Sequence, residues 1–453
     1  GTMLPDDHDA ADPTPRKANA GVIFVLKSRG SWWHSGYHIT AAIVAPALLS
    51  LPLAVSLMGW IGGSVGMGVC AIVSFYSYNL LSIVLDHNAH QGRRLLRFSD
   101  VAHHLMGPRW AAYFVAPIQV FAICYGSTVG GIILSGQSLQ LLYHIARPNG
   151  SMQLYQFIVI IGGICLIFGQ MPSFHSLRHM NLVSLILAAS YSVCVTVAAV
   201  YVGRSKDAPK RDYAVVGGVI DRVFGVFNGI AIMGTSFGNG MLPEIQATIA
   251  PPVVGKMFKG LLMAYCAVIF CFFSVSFSGY WAFGNQSQGV ILSNFINGGG
   301  VLLVPKWFLV ITTALVFLQG IDTYLVYLQP INVVLDNRFS DPTGEEFSRR
   351  NVASRLISRS AVVVSATLLA AMLPFFGDFA AVLGASGYIP LDFVLPMIFY
   401  NITFKHRTAK GRIVYWINVV IAAIFTAVAA VGVVASIRQI VLDSGTYRLF
   451  ANV

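Results

Sequence analysis

The sequence predicts an all-α integral membrane protein with eleven transmembrane helices. Two observations carry this expectation. Apolar runs of about 20 residues, the length that crosses a bilayer as a helix, recur along the whole chain. Charge is scarce and gathers in the connections between them. Of 453 residues, 56% are hydrophobic and only 10% charged, and the mean hydropathy of +0.70 is too apolar for an ordinary soluble core. A soluble amphipathic bundle is thereby excluded. The net charge of +11 does not point to nucleic acid, because most basic residues lie in short loops, where membrane topology requires them.

Residues 1–30 read as a cytoplasmic tail. Asp6, Asp7, Asp9 and Asp12, with three prolines, make its first 20 residues disordered in expectation. Gly1-Thr2 ahead of Met3 reads as a cloning remnant, and Gly1 to Ala20 is too polar for a cleavable signal peptide. The expected spans lie near 36–58, 60–85, 110–142, 153–169, 181–203, 223–248, 258–283, 303–333, 356–376, 378–402 and 413–437. The eighth is long enough to tilt or to project from the bilayer. Spans one to ten form a core over 31–403, in two five-helix halves at 31–203 and 221–403. Residues 404–453 hold the eleventh helix and a tail.

With the N-terminus inside, 20 of the 29 lysines and arginines fall on the inner side, which puts the C-terminal tail outside. The clusters Arg93, Arg94 and Arg97; Arg349, Arg350, Arg355 and Arg359; and Lys405, Arg407, Lys410 and Arg412 set this bias. The connection 204–222, with five basic residues, is the exception. Sequons at Asn149 and Asn285 fall in expected outer loops, and one at Asn401 falls inside. All six cysteines lie in apolar segments and read as packed thiols.

The first span contains "IVAPALLSLPLA", where Pro46 and Pro52 each remove a donor and free a carbonyl one turn back. Hydrocarbon tolerates such open backbone only where it lines a cavity. In the sixth span, "GTSFGNGMLPEIQAT" concentrates Gly234, Gly238, Gly240 and Pro243, so a second discontinuous helix is expected there. Paired interruptions at matching places in two halves point to a transporter's binding site. Half-helix N-termini attract a carboxylate, and free carbonyls at C-termini attract an ammonium, so the expected ligand is a zwitterion. The expected contacts are Val44, Ala45, Pro46, Ala47 and Leu48 in one break and Thr235, Ser236, Phe237, Gly238 and Asn239 in the other. Tyr125, with Ser127 and Thr128, faces them from the third span.

Intramembrane acids are functional candidates by their cost alone. Glu244, Asp322 and Asp392 are therefore the candidate proton carriers, while Asp378 reads as a cap or gate. His34, beside Trp32 and Trp33, reads as an interfacial anchor. His175 and His179 are spaced i, i+4, but the sequence brings no third metal ligand near them. No phosphate loop, catalytic triad or metal motif is present, so neither an enzyme, a metal nor a bound cofactor is expected.

The segments "IVAPALLSLPLA", "FYSYNLLS", "PSFHSLRHMN", "FGNGMLPEIQAT", "GYWAFGN", "YLQPIN" and "PFFGDFAAVLGASGYIPLDFVLP" resemble the plant amino acid/auxin permease family (AAAP), and within it the plant GABA transporters. The resemblance runs from about Gly21 to Val453. It implies a LeuT-like fold of the APC superfamily: a 5+5 inverted repeat plus one helix. It also implies proton symport of γ-aminobutyrate (GABA) at the plasma membrane, with helices one and six holding the substrate and three, eight and ten around them. A monomer in the lipid bilayer is expected. Ala45-Pro46-Ala47 departs from the Gly-x-Gly of many α-amino acid carriers in the family. Pro46 has no N–H, which suits a ligand whose charges lie three methylenes apart. The alternatives are an auxin or broad-specificity carrier, sodium coupling through Thr312, Thr313 and Thr323, and a channel or non-transporting nutrient receptor.

Overall fold

The computed structural model describes residues 30–170, 177–206, 208–250, 253–297, 299–339, 348–373, 375–404 and 408–444. The expected disordered tail, His175, the side chain of His179, Lys405, Arg407 and the end of the C-terminal tail lie outside them. Among the described residues regular structure is helical; extended backbone pairs only at isolated bridges, Gly30 with Ile249 and Ile296 with Leu302.

Helix α1 (Trp32–Ile43) opens behind Ser31, whose N–H donates to His34 Nδ1 at 3.2 Å. His34 is thus a capping group, and the exposed Trp33 is the residue at the surface. After Ile43 come two non-helical residues, a 3₁₀ turn at Pro46–Ser50, and α2 (Leu51–His90). Pro46 begins the 3₁₀ turn and Pro52 lies in the first turn of α2, positions where a missing N–H costs nothing. The first span thus comes in two pieces, as its prolines lead one to expect, but Pro52 frees no backbone group of its own. There is one break, at Val44 and Ala45.

The 40 residues of α2 would span about 60 Å if straight, twice the hydrocarbon thickness. They are not straight: Gly59 has φ 72° and ψ 176°, a conformation reserved for glycine. The expected boundary between the first and second spans falls on this residue.

A short α3 (Phe98–Leu105) leads to α4 (Pro108–Ala146), which is π-helical over Ala111–Val115 and Ile118–Tyr125. Then follow α5 (Leu154–Phe168), α6 (Leu177–Arg204), α7 (Val219–Phe237), α8 (Leu242–Ala247) and α9 (Val254–Phe283). The chain ends with α10 (Lys306–Phe339), α11 (Arg349–Met372), α12 (Phe376–Thr403) and α13 (Ala409–Ser444). Pro390 lies inside a π-helical stretch of α12, Gly384–Val394, because its ring and missing N–H forbid the ordinary ladder.

Among the described residues, eight helices are long and apolar enough to cross a membrane, against eleven expected. The difference lies in three places. Spans one and two share the run broken at Gly59, the fourth is only 15 residues long, and the sixth is divided between α7 and α8. Outer faces carry apolar side chains such as Ile61, 84% exposed, and Ile72, 71% exposed, as lipid-facing helices require.

The scaffold is held by close helix crossings. A Cβ on Gly131 of α4 would lie 2.8 Å from the Gly320 carbonyl oxygen of α10, so only glycine lets these two backbones meet. Helix α13 packs along α7 and α12, with Phe425 stacked on Phe393 at 5.0 Å and Arg438 paired with Asp221 at 2.6 Å. The Arg438 guanidinium holds the exposed Asp221 carboxyl below the usual carboxylate range. In the basic connection 204–222, Arg211 covers the Trp281 ring at 4.7 Å and donates to the Gly203 carbonyl. Its neighbour Asp212 accepts the Asn285 N–H at 2.7 Å through its main-chain oxygen.

Replacing Gly59 by alanine is expected to destabilise the protein by about 1–3 kcal/mol. Gly68→Ala, in open helical space, is expected to be neutral or to stabilise by about 0.5–1 kcal/mol. Thermal melts of the two variants in detergent, beside the parent, check both directions.

Candidate functional site

At the first break Val44 N–H still reaches the Thr40 carbonyl at 2.8 Å, and Ala45 N–H folds back to Ile43 at 2.7 Å. Leu48 N–H bonds the Ala45 carbonyl at 3.2 Å, which removes it from the expected free donors. Pro46 has no N–H, and the Ala47 N–H has no backbone acceptor outside its own turn among the described residues.

At the second break α7 stops at Phe237 and Gly238 turns extended, with φ −75° and ψ 152°. Side chains from other helices take up what the break exposes. Tyr78 donates its hydroxyl to the Phe237 carbonyl at 2.9 Å. Asn239 N–H donates to Asp392 Oδ2 at 2.9 Å. Gln119 Nε2 donates to the Gly240 carbonyl and to Glu244 Oε1, both at 3.3 Å. Met241 N–H turns onto the Asn239 carbonyl.

The two breaks face one cavity of about 40 Å³, room for about three water molecules at the ~10–15 Å³ each needs. Ala45, Pro46 and Ala47 line it from the first break, and Thr235 and Gly238 from the second. Ser127, Gly130 and Gly131 of α4, Thr323 and Tyr327 of α10, and Phe376, Phe379 and Tyr388 of α12 close it. The wall contains no Asp, Glu, Lys, Arg or His. Its polarity comes from main chain and from a hydroxyl chain: Ser127 Oγ lies 2.9 Å from Tyr388 Oη, which donates to Tyr327 Oη at 3.1 Å.

Of the expected contacts, Ala45, Pro46, Ala47, Thr235 and Gly238 border this cavity and the others do not. Val44 and Leu48 are buried in the core. The Phe237 ring meets Phe272 edge-on at 5.0 Å, and the Ser236 hydroxyl bonds its own helix at Ile232. Asn239 turns to Asp392. Tyr125 is turned away, its hydroxyl donating to Ser365 Oγ of α11 at 3.0 Å. The π-helical stretch that ends at Tyr125 adds residues to the turn, so a facing inferred at 3.6 residues per turn is misplaced. Two residues later, Ser127 occupies the wall. Tyr327 and Tyr388 were not expected there. Their signals are the i, i+4 spacing from Thr323 to Tyr327 and the nearness of Tyr388 to Pro390.

The three acids separate. Asp392 is fully buried behind the second break. Glu244 lies in the first turn of α8 with Gln119 as its partner. Asp322 is buried and lies near Ser184 of α6, a serine that accepts from Gln319 Nε2 at 2.8 Å, while its Oδ1 has no partner among the described residues. Asp378 is in the first turn of α12. Of the threonines named for sodium, Thr312 and Thr323 bond carbonyls of their own helix.

The family model for transmembrane amino acid transporter proteins matches residues 28–438. The GABA transporter 1 of Arabidopsis thaliana is 50% identical over 436 residues, which cover 96% of either chain. The lysine histidine transporter-like 6 of the same plant is 27% identical over 428 residues, 93% of either chain. Among solved structures, a Na⁺-coupled sialic acid symporter in a substrate-bound outward-open state aligns with 97% of this chain and 94% of its own. Its TM-score is 0.45 at 12% identity. A match through nearly the whole chain, joined to half-identity with a full-length relative, makes this protein a member of the transmembrane amino acid transporter family.

Proposed function

We propose that this protein imports γ-aminobutyrate, and related small amino acids, by proton symport with alternating access around the two breaks. One observation carries the reading: both breaks open on a single cavity whose wall has no ionised side chain. Main chain must then meet the charges of a zwitterion. The Ala47 N–H, at the amino end of the 3₁₀ turn, takes the carboxylate. The carbonyl end of α7 and the hydroxyls of Ser127, Tyr327 and Tyr388 take the ammonium. Two separate charge sites suit a ligand with its charges three methylenes apart. A lysine would bring a third charge with no acid to pair it. The relative at 50% identity carries GABA transport in its name, which supports the same choice.

The architecture that goes with this reading is eleven spans, the first ten in a LeuT-like 5+5 inverted repeat over 31–203 and 221–403. The N-terminus is cytoplasmic, the C-terminus is outside, and a monomer works in the plasma membrane. The coupling ion is H⁺, with no other cofactor. One proton moving with a zwitterion carries one net charge. Each pH unit then contributes about 1.4 kcal/mol and each 100 mV about 2.3 kcal/mol.

Radiolabelled GABA uptake into proteoliposomes tests the reading. Accumulation is expected to rise with an alkaline interior and with an inside-negative potential, and to persist when choline replaces sodium. Uptake indifferent to both gradients would overturn the coupling, and competition by lysine or indole acetate stronger than by GABA would overturn the substrate.

Gly238→Ala would place a Cβ 2.2 Å from Tyr388 Cδ1. Uptake is expected to fall by more than about tenfold with the amount of protein in the membrane unchanged, because the tyrosine must be pushed into the cavity. Tyr388→Phe removes the middle of the hydroxyl chain, a loss of about 1 kcal/mol. The KM for GABA should rise about fivefold, read from initial rates of uptake.

A further inference from the structure

We propose that Asp392 carries the coupling proton, and that its protonation acts by loosening the hold of its carboxylate on the Asn239 N–H in the second break. This inference rests on the symport reading above and assigns its ion site.

Asp392 is fully buried, within the π-helical stretch of α12. Its main-chain carbonyl accepts the Ser77 hydroxyl, and its Oδ2 accepts the Asn239 N–H at 2.9 Å. Among the described residues its Oδ1 has no partner, and neither do the side-chain oxygen and nitrogen of Asn239. Three orphaned polar atoms at one buried point are costly.

Among the described residues, the titratable groups shown within electrostatic reach of Asp392 are phenols. They are Tyr78 of α2, Tyr265 of α9, Tyr327 of α10 and Tyr388 of α12. No lysine, arginine or histidine among the described residues compensates its charge. A carboxylate in hydrocarbon with a single N–H donor is under-compensated, and a bound proton relieves it. The proton adds to a lone pair on Oδ1 from the outer solution and leaves to the inner one, with no other bond made or broken.

The other two acids lack this placement. Glu244 also has one donor, Gln119, and one unpartnered oxygen, but the Arg97 cation lies within its electrostatic reach, and it does not bond the main chain of the second break. Asp322 lies near Ser184 of α6.

The consequence for transport follows from adjacency. Gly238, one residue before Asn239, lines the cavity, as do Tyr327 and Tyr388. An ionised Asp392 holds the Asn239 N–H by a charge-assisted bond, about twice as strong as the neutral one. Protonation weakens that bond, so the proton and the substrate act on the same short segment.

The test uses the full chain in proteoliposomes, with labelled GABA and a lumenal pH dye. In the parent, GABA acidifies the lumen, and steady-state accumulation changes about tenfold per unit of ΔpH. Asp392→Asn is expected to retain GABA exchange at a reduced rate, which reports folding, with accumulation flat against ΔpH and no acidification. Asp322→Asn is expected to keep the parental slope. Acidification at the parental rate in Asp392→Asn would overturn the proposal. Should that variant fail to insert, Asp392→Glu decides: a displaced pH profile of GABA-driven acidification supports the proposal and an unchanged one overturns it. A parent that takes up GABA without acidifying the lumen would instead overturn the symport reading.

Discussion

A main chain in hydrocarbon has only other protein groups to bond with, and each open N–H or carbonyl there costs about as much as a lost hydrogen bond. Two interrupted helices at mid-membrane would be intolerable without partners brought from elsewhere. The neighbouring helices supply them. Tyr78, Gln119 and Asp392 each bond a separate main-chain group within 237–240. Their own positions depend on further irregularity: Gln119 belongs to a π-helical stretch of α4, and Asp392 to one in α12. Four interruptions of regular helix thus surround one cavity and complete one another.

Around this irregular centre the remaining structure is conventional membrane packing. Glycines bring α4 and α10 into backbone contact, and small and aromatic residues join α13 to α7 and α12. The basic connection 204–222 is tied down as well. Arg211 covers a tryptophan and Arg222 Nε bonds the Gly217 carbonyl. These two arginines are therefore held by local partners.

The breaks were legible because proline and glycine act on the backbone through their own covalent structure, which no neighbour alters. Gly238, Gly240 and Pro243 announce the second break whatever surrounds them. Side-chain facing was not legible to the same degree. Pro52 is adapted to a helix start and breaks nothing, which depends on where α2 begins. Tyr125 faces α11 because π-helical turns rotate it away from where a regular helix would put it. Asp322 directly precedes Thr323, which lines the cavity, yet lies outside the wall and near Ser184 of α6. One residue of helix is a rotation of about 100°, and only the packed partners decide which side of it is wet.

Gly59 joins the second half of the interrupted first span to the long remainder of α2 through a single non-helical residue. Residues 60–90 form a rod of about 46 Å. A swing of about ten degrees at that elbow carries the far tip at His90 through about 8 Å. Just past the tip, Arg94 grips the Ala247 carbonyl at the last residue of α8. A lever of this length, hinged where the first span meets the second and hooked to the other interrupted span at its far end, turns a subtle tilt at one end of the rod into a displacement at the other as wide as an amino acid.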